Sequence, residues 1–302
     1  MNIEPLLKFW PLIYSIIQEF WNITEEHIEE TAFRNDLPIE LYFYSELGLD
    51  ILSTEDFQKR DPFSNPELFE KNFALLNLKG WIEPLTDGSF RVTEEAREAA
   101  RQIIRAGNEQ LSGFHGMPES DLERLGILLK QVIAESKVTH GAAEKWAILQ
   151  RFRVADEHSS LIAQIREYLL DLYAYRDDAH LSAARPHFND AGIVWLVLGA
   201  LWRGTAFNAG QMAEQMPFRG YEAEDYEIAL QAAVELGWAE EADRPDTFRL
   251  TQQGRELREQ VEHLTNEYFY APWSVLVQSE LDELHNLLTT LRHELNAYRK
   301  SL

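Results

Sequence analysis

The chain has 302 residues, 45% hydrophobic and 26% charged, which is typical of a soluble globular protein with room for two domains. It contains no cysteine, which excludes disulfides, thiolate metal sites and cysteine nucleophiles and fits a reducing cytoplasm. The net charge of −23 argues against the nucleic-acid backbone as a partner, unless lysines and arginines cluster on one face.

The first predicted element is an apolar helix whose hydrophobic residues recur at alternating steps of four and three, namely Leu6, Trp10, Ile13, Ile17 and Phe20. This spacing is the heptad seam of a helix that packs along another helix. Lys8, Pro11 and Glu19 interrupt the segment and no small-residue cleavage site follows it. We therefore expect neither a signal peptide nor a membrane span.

The next segment predicts three helices, a two-stranded hairpin and a fourth helix. The first helix is Leu41–Leu47, and Ser53 caps the second. The third helix is Asn65–Lys79, and the hairpin spans Trp81–Val92. Thr93 then opens the closing helix, so the predicted order is helix, helix, helix, hairpin, helix.

Two segments join this unit to the rest of the chain. Ala134–Gly141 is polar and predicts a loop. Ser159–His180 predicts a helix with one apolar side, which ends shortly before Pro186. By its position, this helix is the counterpart of the N-terminal helix in the second part of the chain.

The second part of the chain predicts the same order of elements. An apolar helix runs from Asp190, its expected cap, to Trp202, and Asn208 caps a short second helix. The third helix is Glu222–Leu236, a hairpin occupies residues 238–250, and Thr251 opens the next helix.

The last predicted helix carries a second heptad seam, at Val277, Leu281, Leu284, Leu288, Leu291, Leu295, Tyr298 and Leu302. Amphipathic helices mostly bury their apolar stripe locally. We therefore expect the first and last helices to pack on each other within the chain. A homodimer through the C-terminal helix is the alternative.

The two parts also repeat one another residue by residue. Three segments of the first part correspond in order to three of the second, with one extra residue in the second hairpin: Gly80–Glu83, Phe90–Thr93 and Arg97–Glu98 match Gly237–Glu240, Phe248–Thr251 and Arg255–Glu256. A repeat of this length indicates one structural unit used twice.

The repeated segments LKGWIEPLTDGSFRVTEEAREAARQI and LGWAEEADRPDTFRLTQQGRELREQV resemble the hairpin and the following Leu-Thr-x-x-Gly helix start of MarR-like winged helix-turn-helix proteins. The resemblance implies a mainly α fold with small β-hairpins, in which two winged-helix domains stand in pseudo-two-fold arrangement, joined by long helices. The chain would then be a pseudo-dimer in itself. The expected divisions are residues 1–135 for the first unit with its N-terminal helix, 136–158 for a linker, and 159–302 for the second unit.

The resemblance further implies a transcription regulator that binds double-stranded DNA. The third helix of each unit would enter the major groove, and each wing would contact phosphates. The candidate contacts are Lys59, Arg60, Lys71, Asn72, Arg91, Arg219, Arg244 and Arg249, with Lys71 and Asn72 facing bases. The acidic residues in the first turn of both third helices argue against DNA binding, because they would repel the phosphates. The alternative is a winged-helix protein that has lost DNA binding and acts as a small-molecule binder or protein-interaction adaptor.

MarR-like proteins also bind small aromatic ligands between the winged helix and the dimer helices. The aromatic run from Tyr268 to Trp273 lies where such a pocket would have its wall. The candidate ligand-binding residues are Trp10, Tyr173, Arg176, His180, Tyr268, Tyr270 and Trp273. The alternative is that the aromatic rings are ordinary core.

Arg176 and His180 are four residues apart and share a helix face, whereas Asp177 and Asp178 point elsewhere. A metal site would need a second histidine or a carboxylate on the same face. A charged helix end, a latch between domains and catalysis remain as readings of this segment. No phosphate loop, dinucleotide-binding motif, nucleophile elbow or zinc-protease motif occurs, so we expect no enzyme, no cofactor and no metal.

Overall fold

The structure is a computed structural model that describes residues 3–140, 144–154, 159–188 and 191–302. These residues form a mainly helical fold with five short strands in two small antiparallel sheets, as the sequence predicts in outline. Within these ranges, no helix is both long enough and apolar enough to span a membrane.

The first half of the chain begins with a long helix and continues through three short helices, a hairpin and two further long helices. In chain order these are α1 (Phe9–Arg34), α2 (Glu40–Ser45), β1 (Ile51–Leu52), α3 (Thr54–Arg60), α4 (Pro66–Leu78), β2 (Ile82–Pro84), β3 (Phe90–Val92), α5 (Glu94–Gln110) and α6 (Glu119–Val138). Strand β3 pairs with both β2 and β1, so the hairpin gains a third strand that the sequence did not predict.

A short helix, α7 (Trp146–Gln150), precedes the second half. The second half then comprises α8 (Leu161–Phe188), α9 (Gly192–Arg203), α10 (Ala209–Gln215), α11 (Ala223–Glu235), β4 (Ala239–Glu241), β5 (Phe248–Leu250), α12 (Gln252–Tyr270) and α13 (Gln278–Arg299). Where the first half has its third strand, the Phe248 N–H donates one hydrogen bond to the Phe207 carbonyl at 2.8 Å.

Polar side chains cap the helices at the positions that the sequence predicts. Four predicted caps, Ser53, Thr93, Asn208 and Thr251, each accept a hydrogen bond from a backbone N–H in the first helical turn, and Asn65, where the sequence predicts only the start of a helix, does the same. Such a bond satisfies a donor that the helix start leaves free and contributes about 1 kcal/mol. The other predicted cap, Asp190, lies outside the described residues.

The loop predicted to begin at Ala134 is wrong, because α6 continues to Val138. Its polar residues do not mark a loop. Ser136 is fully buried, and its hydroxyl donates back to the Val132 carbonyl at 2.8 Å, so the side chain is satisfied inside the helix.

The predicted end of the connecting helix is also wrong, because α8 runs past His180 to Phe188 and includes Pro186 in its last turn. Proline removes one backbone donor there. Tertiary packing holds the turn, since the Phe188 ring lies 5.8 Å from the ring of Phe63 and 5.9 Å from that of Trp195.

The long helices make the main core, with buried side chains from α1, α6, α8, α13 and the end of α12. Two smaller cores lie under the hairpins. Helix α1 packs along α13 within the chain, as the heptad seams predict. At the edge of this contact, the Glu19 carboxylate accepts hydrogen bonds from Asn296 at 3.1 Å and Arg299 at 2.8 Å.

A buried ion network fastens the segment after α7 to α8 and α2. The Arg151 side chain is 2% exposed and donates to Glu46 at 2.6 Å, Glu167 at 2.7 Å and Asp171 at 3.2 Å. Glu167 and Asp171 are themselves buried. This cation therefore neutralises carboxylates that have little access to water.

Candidate functional site

The predicted DNA-contacting residues of α3 and α4 are mostly engaged with their own helices or neighbours. Lys59 pairs with Asp56 at 2.7 Å, and Lys71 pairs with Glu67 at 3.4 Å. The Asn72 amide donates to the Tyr44 hydroxyl, outside α4, at 2.8 Å. Both lysines are exposed and their pairs are weak, so either ammonium group can turn to another anion.

Two of the predicted phosphate contacts instead join the two halves of the chain. The Arg60 guanidinium lies 2.6 Å from Asp177 of α8, and its side chain is 10% exposed. Arg219 lies 2.6 Å from Asp61, and its guanidinium stacks 5.1 Å from the ring centre of Phe218. A phosphate contact by Arg60 would require this buried pair to open.

The hairpin arginines differ from one another. Arg249 of β5 pairs with Glu240 of β4 at 2.8 Å. Arg91 of β3 and Arg244, in the turn between β4 and β5, are exposed, and neither forms an ion pair with any described residue. These two side chains are the freest of the eight predicted contacts.

The outward faces of α4 and α11 differ in charge. The exposed residues of α11 include Glu224, Glu227 and Glu235, and the helix contains no lysine or arginine. The exposed face of α4 carries two acidic residues, Glu67 and Glu70, and one cation, Lys71. Only α4 therefore offers a cation at the position where a recognition helix would meet DNA.

The start of α4 is fixed to the second half of the chain. The backbone N–H of Asn65 donates to the Arg219 carbonyl at 2.8 Å, and its amide nitrogen donates to the Gly220 carbonyl at 3.0 Å. Gly220 has φ +72, and a Cβ there would meet the Cβ of Leu68 at 2.9 Å. Glycine is thus required both by the backbone conformation and by the close approach of the two segments.

A cleft of about 750 Å³ lies beside this contact, between α2, α3 and α4 on one side and α8 with the 3-10 turn Pro217–Arg219 on the other. Both inter-half ion pairs line it. Its aromatic walls are Phe43, Tyr44, Phe63, Phe69, Tyr173 and Phe218. The charge of Asp177, followed by burial, raises the pKa of the Tyr173 hydroxyl, which therefore remains a neutral donor.

Arg176 of α8 is a predicted ligand contact, and the structure packs it against α12. It donates to Asn266 at 2.7 Å and to Glu262. Its guanidinium lies 5.0 Å from the ring centre of Trp10 and 5.2 Å from that of Phe269. Groups of α1 and α12 therefore hold the Arg176 side chain in place.

Asp178, next but one along α8, binds a different element. Its carboxylate accepts hydrogen bonds from the backbone N–H groups of Ala147 at 2.8 Å and Ile148 at 3.0 Å, at the start of α7. Burial raises the pKa of this carboxyl to about 6, and the two backbone donors oppose that rise. Asp178 is thus the anchor of α7.

His180 bridges two further helices. Its Nε2 accepts a hydrogen bond from the Trp195 indole of α9 at 3.3 Å, and its Nδ1 lies 3.3 Å from the Thr265 hydroxyl of α12. The Nε2 atom must carry no proton to accept this bond. Burial first, and the charge of Arg258 second, lower the pKa of His180 to about 3, so the ring is neutral.

The aromatic run at the end of α12 is enclosed by other rings. Trp273 is wholly buried, with its ring centre 4.8 Å from that of Phe9 and 5.4 Å from that of Tyr270. The Tyr270 hydroxyl accepts the backbone N–H of Trp10 at 3.0 Å. The backbone carbonyl of Tyr268 accepts the hydroxyl of Tyr175 at 3.1 Å.

The predicted ligand residues therefore separate into two places. Tyr173 and His180 line the cleft between the halves, whereas Tyr270 and Trp273 belong to the main core. The sequence reading missed Asp61 and Phe63, which line the cleft with Arg219. Asp61 and Arg219 are 158 residues apart, so no local spacing could reveal their pairing.

Comparison with known protein families identifies a helix-turn-helix match in the second half of the chain. Residues 164–299 match the model of a helix-turn-helix family. No curated protein and no solved structure matches the chain. The matched range covers α9 to α13 and nearly all of α8, which indicates a helix-turn-helix unit in this part of the chain. Helix-turn-helix units are, in general, DNA-binding.

Proposed function

We propose that the chain is a DNA-binding transcription regulator with two winged-helix units, in which the first unit and both wings make the contacts to DNA. The observation that carries the proposal is the helix-turn-helix match at residues 164–299, together with the order of three helices, hairpin and helix in both halves. Two exposed arginines without ion pairs in the described residues, Arg91 and Arg244, support a role for the wings.

The first unit is the better reader of bases. A recognition helix must bring its outer face within hydrogen-bonding distance of base edges and between two rows of phosphates. The outer face of α11 would present the carboxylates of Glu224 and Glu227 to those phosphates, and the like charges would repel each other. The outer face of α4 offers Lys71, and its pair with Glu67 is exposed and easily exchanged.

The contact at the start of α4 supports a regulated mode of binding. Asn65 is held by the Arg219 and Gly220 carbonyls, so the second half covers the end of α4 that recognition helices commonly place nearest the bases. Opening this contact would free α4. The adjoining cleft is lined by Arg219 and by aromatic rings, so a small aromatic ligand bound there would act directly on the contact.

The proposal is tested by fluorescence anisotropy with a random-sequence DNA duplex across a salt series. We expect affinity to fall steeply with salt, and R91E and R244E each to reduce the slope of log affinity against log salt by about 1. The matched control is R292E, which reverses an exposed arginine on α13, away from both wings, and should leave the slope unchanged. The proposal fails if DNA does not bind at about 50 mM salt, or if all three variants bind as the parent does.

A second candidate function is an adaptor that has kept the winged-helix fold without DNA binding. The acidic outer face of α11 favours it, as do the carboxylate pairs of Lys59, Arg60, Lys71 and Arg249. This reading requires that duplex DNA not bind at low salt. Sub-micromolar binding at physiological salt would exclude it.

A further inference from the structure

A second cationic site lies on one face of α9, behind His180, which accepts the Trp195 N–H and itself lines the cleft. Trp195, Gly199, Trp202 and Arg203 follow one another at steps of four, three and one, which places them on the same side of the helix. Gly199 has no side chain, so it leaves a notch between the two indole rings. Arg258 of α12 packs over this face, with its guanidinium 4.5 Å from the Trp195 ring centre and 5.3 Å from that of Trp202.

Arg258 is buried without a hydrogen-bond acceptor. The residue is 4% exposed, and its Nε and Nη1 atoms are enclosed with no partner in the described part of the chain. Stacking on two indoles accounts for the plane of the guanidinium but leaves its N–H groups unsatisfied. A buried N–H group of this kind lowers the stability of the protein unless an acceptor forms a hydrogen bond with it.

Arg203 brings a second cation to the same face. Its Nη1 lies 3.3 Å from the position that a Cβ on Gly199 would take, and its Nη2 lies 3.7 Å from that position. The guanidinium therefore rests over the notch. The side chain is exposed and has no ion pair within the described residues. Arg258 packs on the two indoles that flank Gly199, so both guanidinium groups lie on this face of α9. Burial and the charge of Arg203, in that order, lower the pKa of Arg258 to about 10.

No carboxylate of the described chain neutralises this pair. The charge of Glu262 raises the pKa of Arg258, but this carboxylate accepts its hydrogen bond from Arg176. Like charges held together at low exposure repel each other unless an anion lies between them. In a chain whose net charge is −23, such a pair is unusual.

We propose that Arg203 and Arg258, over the Gly199 notch between Trp195 and Trp202, bind the oxyanion group of a small molecule, a phosphate or a carboxylate. Guanidinium groups present paired N–H donors that match either oxyanion. The exposed side chain of Arg203 and the half-buried ring of Trp202 leave the site open to solvent. The two indoles shield the ion from water on its protein side.

The test uses the full chain at constant ionic strength, with sodium chloride as the balancing salt. Inorganic phosphate and sodium benzoate are titrated in separate arms, and intrinsic tryptophan fluorescence and calorimetry report binding. We expect saturable binding in at least one arm. Saturation by phosphate alone assigns a phosphate ligand, and saturation by benzoate identifies a carboxylate ligand.

Three variants locate the ion. R203Q removes an exposed cation and should weaken binding at least about tenfold, the value of one charge-assisted hydrogen bond. G199A keeps every charge, and the atoms nearest its new Cβ would be those of the Arg203 guanidinium, from 3.3 Å, so it should weaken binding less than R203Q does. R255Q is the matched control, since it removes an exposed arginine from the same helix as Arg258 and should bind as the parent does.

Two results would overturn the assignment. One is the absence of saturable binding by either anion up to about 10 mM. At this concentration, only a site with a binding free energy below about 3 kcal/mol would escape detection. The other is equal binding by R203Q and R255Q. A loss of DNA affinity in R203Q without any small-anion binding would also refute the small-molecule site and assign the pair to the DNA backbone.

Discussion

The neutral state of His180 should make the stability of the protein depend on pH in a defined direction. The imidazole accepts the Trp195 N–H through Nε2, and a proton on that atom would place two donors against each other. The pKa of His180 is lowered from 6.5 to about 3, mainly by burial. Between these two values the unfolded chain binds a proton at this position and the folded chain does not.

The sign follows from proton linkage. Stability increases with pH wherever the unfolded state binds more protons than the folded state. The contribution of His180 is therefore complete above pH 6.5 and is lost as the pH falls from 6.5 towards 3. Each pH unit in this window changes the free energy of unfolding by about 1.4 kcal/mol, so the loss between pH 7.5 and pH 5 is about 2 kcal/mol.

The assay is urea unfolding of the parent and H180Q at pH values from 7.5 to 5. Glutamine cannot take up a proton in this pH range, so the variant lacks the pH-dependent contribution of His180 to the free energy of unfolding. Asp178 titrates in the opposite sense, since its pKa is raised, and comparison with the variant cancels its contribution. H180Q should be less stable than the parent at pH 7.5, and the difference should narrow by about 2 kcal/mol at pH 5.

H293Q is the matched control, because it removes an exposed histidine of α13 and should follow the parent at every pH. A stability difference between H180Q and the parent that stays constant from pH 7.5 to pH 5 would refute the reasoning. It would mean that His180 takes up its proton equally in the folded and unfolded states.

Two further substitutions test the packing between the halves and the buried network. G192A places a Cβ inside the van der Waals radius of the Pro62 carbonyl oxygen and should lower the free energy of unfolding by about 3 kcal/mol or more. The control is G210A, whose Cβ meets no atom closer than 3.6 Å and which should be neutral or stabilise the protein by up to about 1 kcal/mol. Equal effects of the two variants in thermal unfolding would contradict this prediction. R151M removes the cation that lies closest to buried Glu167, while Asp171 keeps its pair with Arg153, and the variant should cost about 3 kcal/mol in urea unfolding. R105M removes an exposed pair and should cost less than about 1 kcal/mol. A similarly small loss for R151M would disprove the role of the network.

The sequence predicted those parts of the fold that depend on local interactions. Helix starts at Ser53, Thr93, Asn208 and Thr251 follow from side chains that bond a backbone N–H within the next three residues. The hairpins follow from alternation and turn residues. Each of these signals is complete within a few residues, so it can be read without knowledge of the rest of the chain.

The parts that were missed depend on distant residues. The extension of α8 past His180 needs Phe63 and Trp195 to hold the turn that contains Pro186, and the chain order gives no sign of that packing. The same holds for the candidate site. From the sequence alone, Arg60 cannot be told from an exposed surface arginine. Only its contact with Asp177 shows that it is buried between the halves.

The packing of α1 on α13 has a consequence for the synthesis of the protein. The Glu19–Arg299 pair joins residues 280 positions apart, so the first long helix leaves the ribosome well before its partner exists. Until α13 emerges, the part of α1 that packs on α13 stays uncovered and is available to chaperones or to other nascent chains. Completion of the main core must therefore wait until α13 has been synthesised, and loss of α13 would expose the face of α1 that packs on it.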